Sequence, residues 1–93
     1  MKRFEWNEEK NVELIASRGI SFEDVLFHIS NGDFLAELKH PNAEKYPNQK
    51  ILVVRINGYV HYISFVEDDD KYFLKSIIPS RKLTEKYSDE RKR

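Results

Sequence analysis

The 93-residue chain contains no cysteine. That excludes a disulfide framework and any thiolate zinc site, so the fold must rest on packing alone. No segment approaches the run of about 20 apolar residues that crosses a bilayer, and the opening Met1–Lys10 stretch lacks the apolar core of a signal peptide. Both absences predict a soluble, cytoplasmic protein. Net charge is also missing: sixteen basic residues face sixteen acidic ones, a balance that by itself argues against a nucleic-acid binder. A single domain of this size buries roughly 60–65% of the surface its unfolded chain exposes, too little to enclose a large cofactor, and none is expected.

The charge that is present is unevenly placed. Residues 71–93 hold eight basic and three acidic side chains, a balance of +5, so residues 1–70, with eight against thirteen, stand at −5. Either a solvated helix with a basic tail or an anion-binding end accounts for such polarity.

Local signals predict an α+β chain. Asn7 can cap a helix near 7–18 with Val12, Leu14 and Ile15 at helical spacing, together with Trp6, and Gly19 as its stop. Ser21 and Asp24 form a capping-box pattern for a second helix near 21–31, with Phe22, Val25, Leu26 and Ile29 as its buried stripe and Asn31-Gly32 as its end. Alternation then places Phe34, Ala36 and Leu38 on one face of a strand that Pro41 breaks. Residues 51–56 and 59–66 flank Asn57-Gly58, the favoured pair for a type I′ turn, so Ile56 should oppose Tyr59 and Val53 oppose Tyr62. Glu67-Asp68-Asp69-Asp70 reads as a solvated turn into a last strand, Lys71–Ile78. A four-residue loop there sets Lys75 opposite Tyr62, on the face of Arg55, with His61 beside Ile56, Ile63, Leu74 and Ile78. A terminal helix from Ser80 to about Glu90 carries only Leu83 and Tyr87 as an apolar pair. With a brief strand at Arg3–Trp6, the expectation is an antiparallel sheet of about four strands, with helices packed on one face, two N-terminal and one short C-terminal.

The segment from Phe73 to Thr84 runs an apolar strand into Pro79 and then a basic helix start. Proline has no N–H to continue the ladder, so Ser80, Arg81 and Lys82 are held at a corner where an anion can meet cations and helix N–H donors together.

Three stretches, Phe4-Glu5-Trp6-Asn7-Glu8-Glu9-Lys10-Asn11, Gly19-Ile20-Ser21-Phe22-Glu23-Asp24 and Ile78-Pro79-Ser80-Arg81-Lys82-Leu83-Thr84, resemble the BrnT family of toxins from type II toxin–antitoxin pairs, which have a RelE-like ribonuclease fold. The similarity spans nearly the whole chain as one domain. The family's usual Lys-His-Gly stands here as Ser17-Arg18-Gly19, so that histidine's role passes to no residue of this chain. The resemblance implies a toxin that cleaves mRNA or otherwise inhibits translation, restrained by an antitoxin with a ribbon-helix-helix DNA-binding domain. DNA would be met only through that antitoxin.

Cleavage without a metal uses the ribose 2′-OH as nucleophile and needs a base, an acid and cations on the phosphate. Arg81 is the first choice for the phosphate, since a planar guanidinium grips two oxygens, the alternative role being a surface ion pair with Glu85. Lys75 is a candidate base if partly desolvated, or an edge-strand guard. His40, where a strand meets a loop, is the candidate acid–base imidazole. Arg55, Tyr62, Ser80 and Lys82 complete the expected substrate contacts, Tyr62 also being an ordinary sheet residue. His61 reads as a satisfied sheet histidine and His28 as a helix-surface residue. The three histidines have no metal-ligand spacing, so no metal is expected. A non-enzymatic module that binds an antitoxin and adjusts transcription is the competing class. Direct DNA binding by the terminal helix is disfavoured because Asp89-Glu90 interrupt its basic run.

Overall fold

Capping and turn chemistry start and stop the elements. A computed structural model describes the backbone of residues 3–91 and the side chains of residues 3–87. The order is β1 (Arg3–Trp6), α1 (Glu8–Arg18), α2 (Phe22–Ser30), β2 (Phe34–Lys39), β3 (Gln49–Ile56), β4 (Tyr59–Glu67), β5 (Lys71–Pro79) and α3 (Arg81–Arg91). Asn7 Oδ1 accepts the Lys10 N–H at 3.0 Å to open α1, and Gly19, at φ 66°, closes it with its N–H on the Ile15 carbonyl. The Ser21 hydroxyl and Asp24 carboxylate exchange the two bonds of a capping box at α2.

Asn11 joins these two helices. Almost fully buried, it accepts the Phe22 N–H and donates to Glu23 Oε1, each at 2.7 Å. Left unpaired, such an amide would cost about 1–3 kcal/mol, so the pairings brace the α1–α2 corner.

The sheet is mixed and five-stranded, in the order β1-β5-β4-β3-β2, with β1 parallel to β5 and the remaining pairs antiparallel. The expected sheet of about four antiparallel strands is thereby corrected: the brief first strand is a full member and docks in parallel on β5. The hairpin matches its sequence register, Ile56 opposite Tyr59 through Val53 opposite Tyr62, with Asn57 and Gly58 both at positive φ as a type I′ turn requires.

Two bulges depart from simple alternation. Leu35 is extra in β2, so Phe34 pairs with Val54 on the face opposite Ala36 and Leu38. Lys75 is extra in β5, and Tyr62 faces Ile78 rather than Lys75. Leu74 still faces inward, opposite Phe65, but everything after the bulge is flipped, so Ile77 enters the core in place of Ile78.

Helices cover both faces of the sheet, which corrects the one-face arrangement. Leu14 of α1 and Phe22 and Val25 of α2 pack on Leu52, Val54, Ile56, Ile63, Phe65, Leu74 and Ile77. Leu83 and Tyr87 of α3 pack on the other face, against Ile51, Val53 and Val60. The unbroken apolar run 51–54 in β3 is the corresponding sequence feature, since a strand covered on both sides has no polar face. The first α helix buries less than its pattern suggests: Leu14 is inside, while Val12 and Ile15 are exposed.

Pro79 ends the β5 ladder opposite His61, and the backbone of Val60 one position earlier takes other partners. Its carbonyl accepts the Ser80 N–H at 2.9 Å and its N–H donates to Thr84 Oγ1 at 2.9 Å. Thr84 in turn donates to the Ser80 carbonyl, so the first turn of α3 is pinned to β4.

Candidate functional site

The hairpin turn, the end of β5 and the α1–α2 corner converge at one end of the sheet and leave an open cleft of about 510 Å³ between them. Arg18, Gly19 and Ile20 form one wall, held in place by the Gly19 cap and the Asn11 brace. Ile56, Asn57, Tyr59 and His61 form the other, and Pro79 closes the side toward α3.

His61 is the titratable centre of this cleft. Its Nδ1–H donates to the Tyr59 carbonyl at 2.9 Å, a pairing that assigns the neutral tautomer with its lone pair on Nε2. Among the described residues Nε2 has no hydrogen-bond partner. Burial holds the imidazole pKa below its ordinary 6.5; the Tyr59 bond opposes that, and the charges of Arg18 and His28 reinforce it. Arg18 donates through Nη1 to the Ile77 carbonyl, which fixes the guanidinium against the end of β5 and leaves its other N–H groups available. The site thus places an imidazole of lowered pKa and a hydrogen-bonded guanidinium in one cleft.

Arg81 and Lys82 follow Pro79 and Ser80, as the first residues of α3, and are exposed. Neither forms an ion pair among the described residues, so the alternative Arg81–Glu85 pair is not made. The first turn of α3 holds no acidic residue, and two cations there oppose the helix dipole by about 0.3–1 kcal/mol each, a strain that a bound anion would relieve. The Ser80 oxygen accepts the Leu83 N–H at 3.2 Å as the helix cap, leaving its hydroxyl proton free to donate.

The other candidates lie elsewhere. Lys75 is exposed at its bulge, with Nζ 5.3 Å from the Phe73 ring centroid, beside Lys10 and Glu13 near the start of α1. His40 follows β2 at the far end of the sheet. Its Nδ1 accepts the Asn42 N–H at 3.0 Å and its ring lies 4.7 Å from that of Tyr46, a turn-stabilising role. The adjoining strand pair, Lys39 with Lys50, stands six residues along β3 from Ile56, roughly 20 Å of strand. Arg81, Lys75 and His40 therefore do not form one constellation. Arg55 is half-buried beneath α3, reaching the Tyr87 carbonyl at 3.4 Å, and Tyr62 lines a groove with Leu83 and Ile51 on that same face.

His61 and Arg18 were not legible as a site in the sequence. The hairpin register places His61 on the face of Ile56 and Ile63, but only the packing of α1 brings Arg18 into the same cleft. Among the described residues no three His, Asp or Glu side chains gather to hold a metal ion, and none of the helices is long and apolar enough to cross a membrane. The Glu67–Asp70 segment closes on itself, with Asp68 Oδ1 accepting the N–H groups of Asp70 and Lys71. Comparison with family models, with curated proteins and with solved structures returns no match to this chain.

Proposed function

We propose that this chain is a metal-independent endoribonuclease of RelE-like fold, the toxin of a type II toxin–antitoxin pair, which cleaves mRNA, inhibits translation and is neutralised by an antitoxin with a ribbon-helix-helix domain. The observation that carries the chemistry is the neutral His61 imidazole sharing a cleft with the anchored Arg18. The three BrnT-like stretches carry the biological setting.

His61 Nε2 takes the proton of a ribose 2′-OH, and the freed oxygen attacks the adjacent phosphorus. The bond to the 5′-oxygen breaks, leaving a 2′,3′-cyclic phosphate and a 5′-hydroxyl, with solvent supplying the leaving group's proton. Arg18 stabilises the charge gathering on the phosphate oxygens, and Arg81 and Lys82 hold the neighbouring backbone. No step requires a metal, so purified protein should cleave single-stranded RNA in EDTA and arrest growth when produced without its antitoxin. Intact RNA after incubation with folded protein would refute the nuclease.

The exposed Val12, Ile15 and Phe27 on the outer surfaces of α1 and α2 favour one alternative, a non-catalytic module that binds an antitoxin and adjusts operon transcription. That alternative predicts no growth arrest.

A further inference from the structure

We infer that the cleft beside His61 is a nucleobase subsite, which makes single-stranded RNA the substrate class and the nucleotide 5′ to the broken bond the one that is read. The inference deepens the nuclease proposal and rests on it for the position of the phosphate.

Three observations support it. First, the cleft is amphipathic in the way a base requires: Ile20, Ile56 and Pro79 supply apolar walls within about 510 Å³, the size range of small-ligand sites. A double helix, with its bases stacked inside, cannot present one to such a recess, whereas an unpaired nucleotide can. Second, Tyr59 and His61 meet edge to face at 5.7 Å and 72°, so the two rings line adjoining walls instead of covering one another. Tyr59 keeps 38% of its surface exposed, which leaves ring area for stacking on a base.

Third, the Asn57 side chain lines the cleft and makes no hydrogen bond among the described residues. At φ 55° its backbone satisfies the type I′ turn, a task that glycine performs equally well. Its amide adds a donor and an acceptor side by side, the fork that reads the edge of a base. With the base so held, its own ribose carries the 2′-OH toward His61 Nε2, and the 3′ phosphate falls to Arg18.

The test uses 2′-O-methyl tetranucleotides of each single base, which cannot be cleaved, together with a blunt duplex, titrated while the backbone amide signals are followed by NMR. Single strands should shift the amides of Asn57, Gly58 and Tyr59, the duplex should not, and affinities should differ between bases by about fivefold or more. Asn57→Gly should flatten that difference with the melting temperature unchanged, and Tyr59→Leu should weaken all four single strands alike. Equal binding of duplex and single strand, or shifts confined to the start of α3 with no effect of Asn57→Gly, would overturn the subsite. Because the probes resist cleavage, base recognition without nuclease activity on ordinary RNA would sink the nuclease and leave the subsite standing. Cleavage with no base preference would do the reverse.

Discussion

The two ends of the sheet differ in their ion pairing, although Lys39 and Lys45 at the loop end also lack a carboxylate partner among the described residues. At the end that holds the Glu67–Asp70 turn, Lys50 reaches Glu67 at 3.2 Å and Glu37 at 3.8 Å, while Glu5 receives both Arg3 at 3.3 Å and Lys71 at 3.8 Å. At the hairpin end, Arg18, Arg81 and Lys82 have no carboxylate partner among the described residues. Exposed pairs of the first kind contribute about 0–1 kcal/mol each and consume their charge within the molecule. Unmatched cations of the second kind leave theirs for a ligand. A chain with zero net charge can therefore still present one end to a polyanion, and the sum over residues conceals it.

The sharpest way to break this contrast is to exchange histidines between the ends. His61→Asn should lower RNA cleavage by at least about 100-fold, the scale of a lost general base, while His40→Asn at the opposite end should stay within about twofold in the same assay. A comparable loss from both would mean that the cleft is not where cleavage occurs. Next in size, Arg81→Ala with Lys82→Ala should weaken RNA binding and reduce the slope of log affinity against log salt by about 0.7 for each cation removed, whereas Lys71→Ala should leave the slope unchanged. Fluorescence anisotropy across a salt series reads both.

Acid should sharpen the contrast further. Because the folded pKa of His61 lies below 6.5, the base form persists to lower pH than in a free imidazole, and the rate should rise with pH with its midpoint below that value. The same shift bears on stability. The contribution is fully present above pH 6.5 and is lost as pH falls through the lowered folded value, since the unfolded chain binds the extra proton. Urea melts across that window should show stability increasing with pH, and His61→Asn should flatten the increase. The smallest effect belongs to the ion-paired end: Lys50→Met should change unfolding free energy by less than about 1 kcal/mol.

How much of this was legible in the sequence depends on the range of the interaction. Asn7, the Ser21–Asp24 box and the Asn57-Gly58 turn act over a few residues, and the elements they begin or join stand where the sequence places them. The bulges at Leu35 and Lys75 do not, because one additional residue in a strand is decided by partners on neighbouring strands. In β5 those partners include the Ser64 and Ser76 hydroxyls, which meet across the ladder just beyond the bulge. The Ile51–Val54 run implies a second covered face, but two apolar residues on α3 say that it packs without saying where. The cationic helix start was read directly from Pro79-Ser80-Arg81-Lys82. The sequence assigns His61 a sheet position alone, and the cleft it shares with Arg18 depends on the α1–α2 corner, which brings that guanidinium from far along the chain.

The pinning of α3 to Val60 has a consequence for biosynthesis. Strands β2 to β5 leave the ribosome before the helix that covers their second side, so Ile51, Val53 and Val60 stay open to solvent until Leu83 and Tyr87 emerge. A transcript cut ahead of codon 80 would release a sheet with one greasy side uncovered, a species that chaperones and proteases recognise.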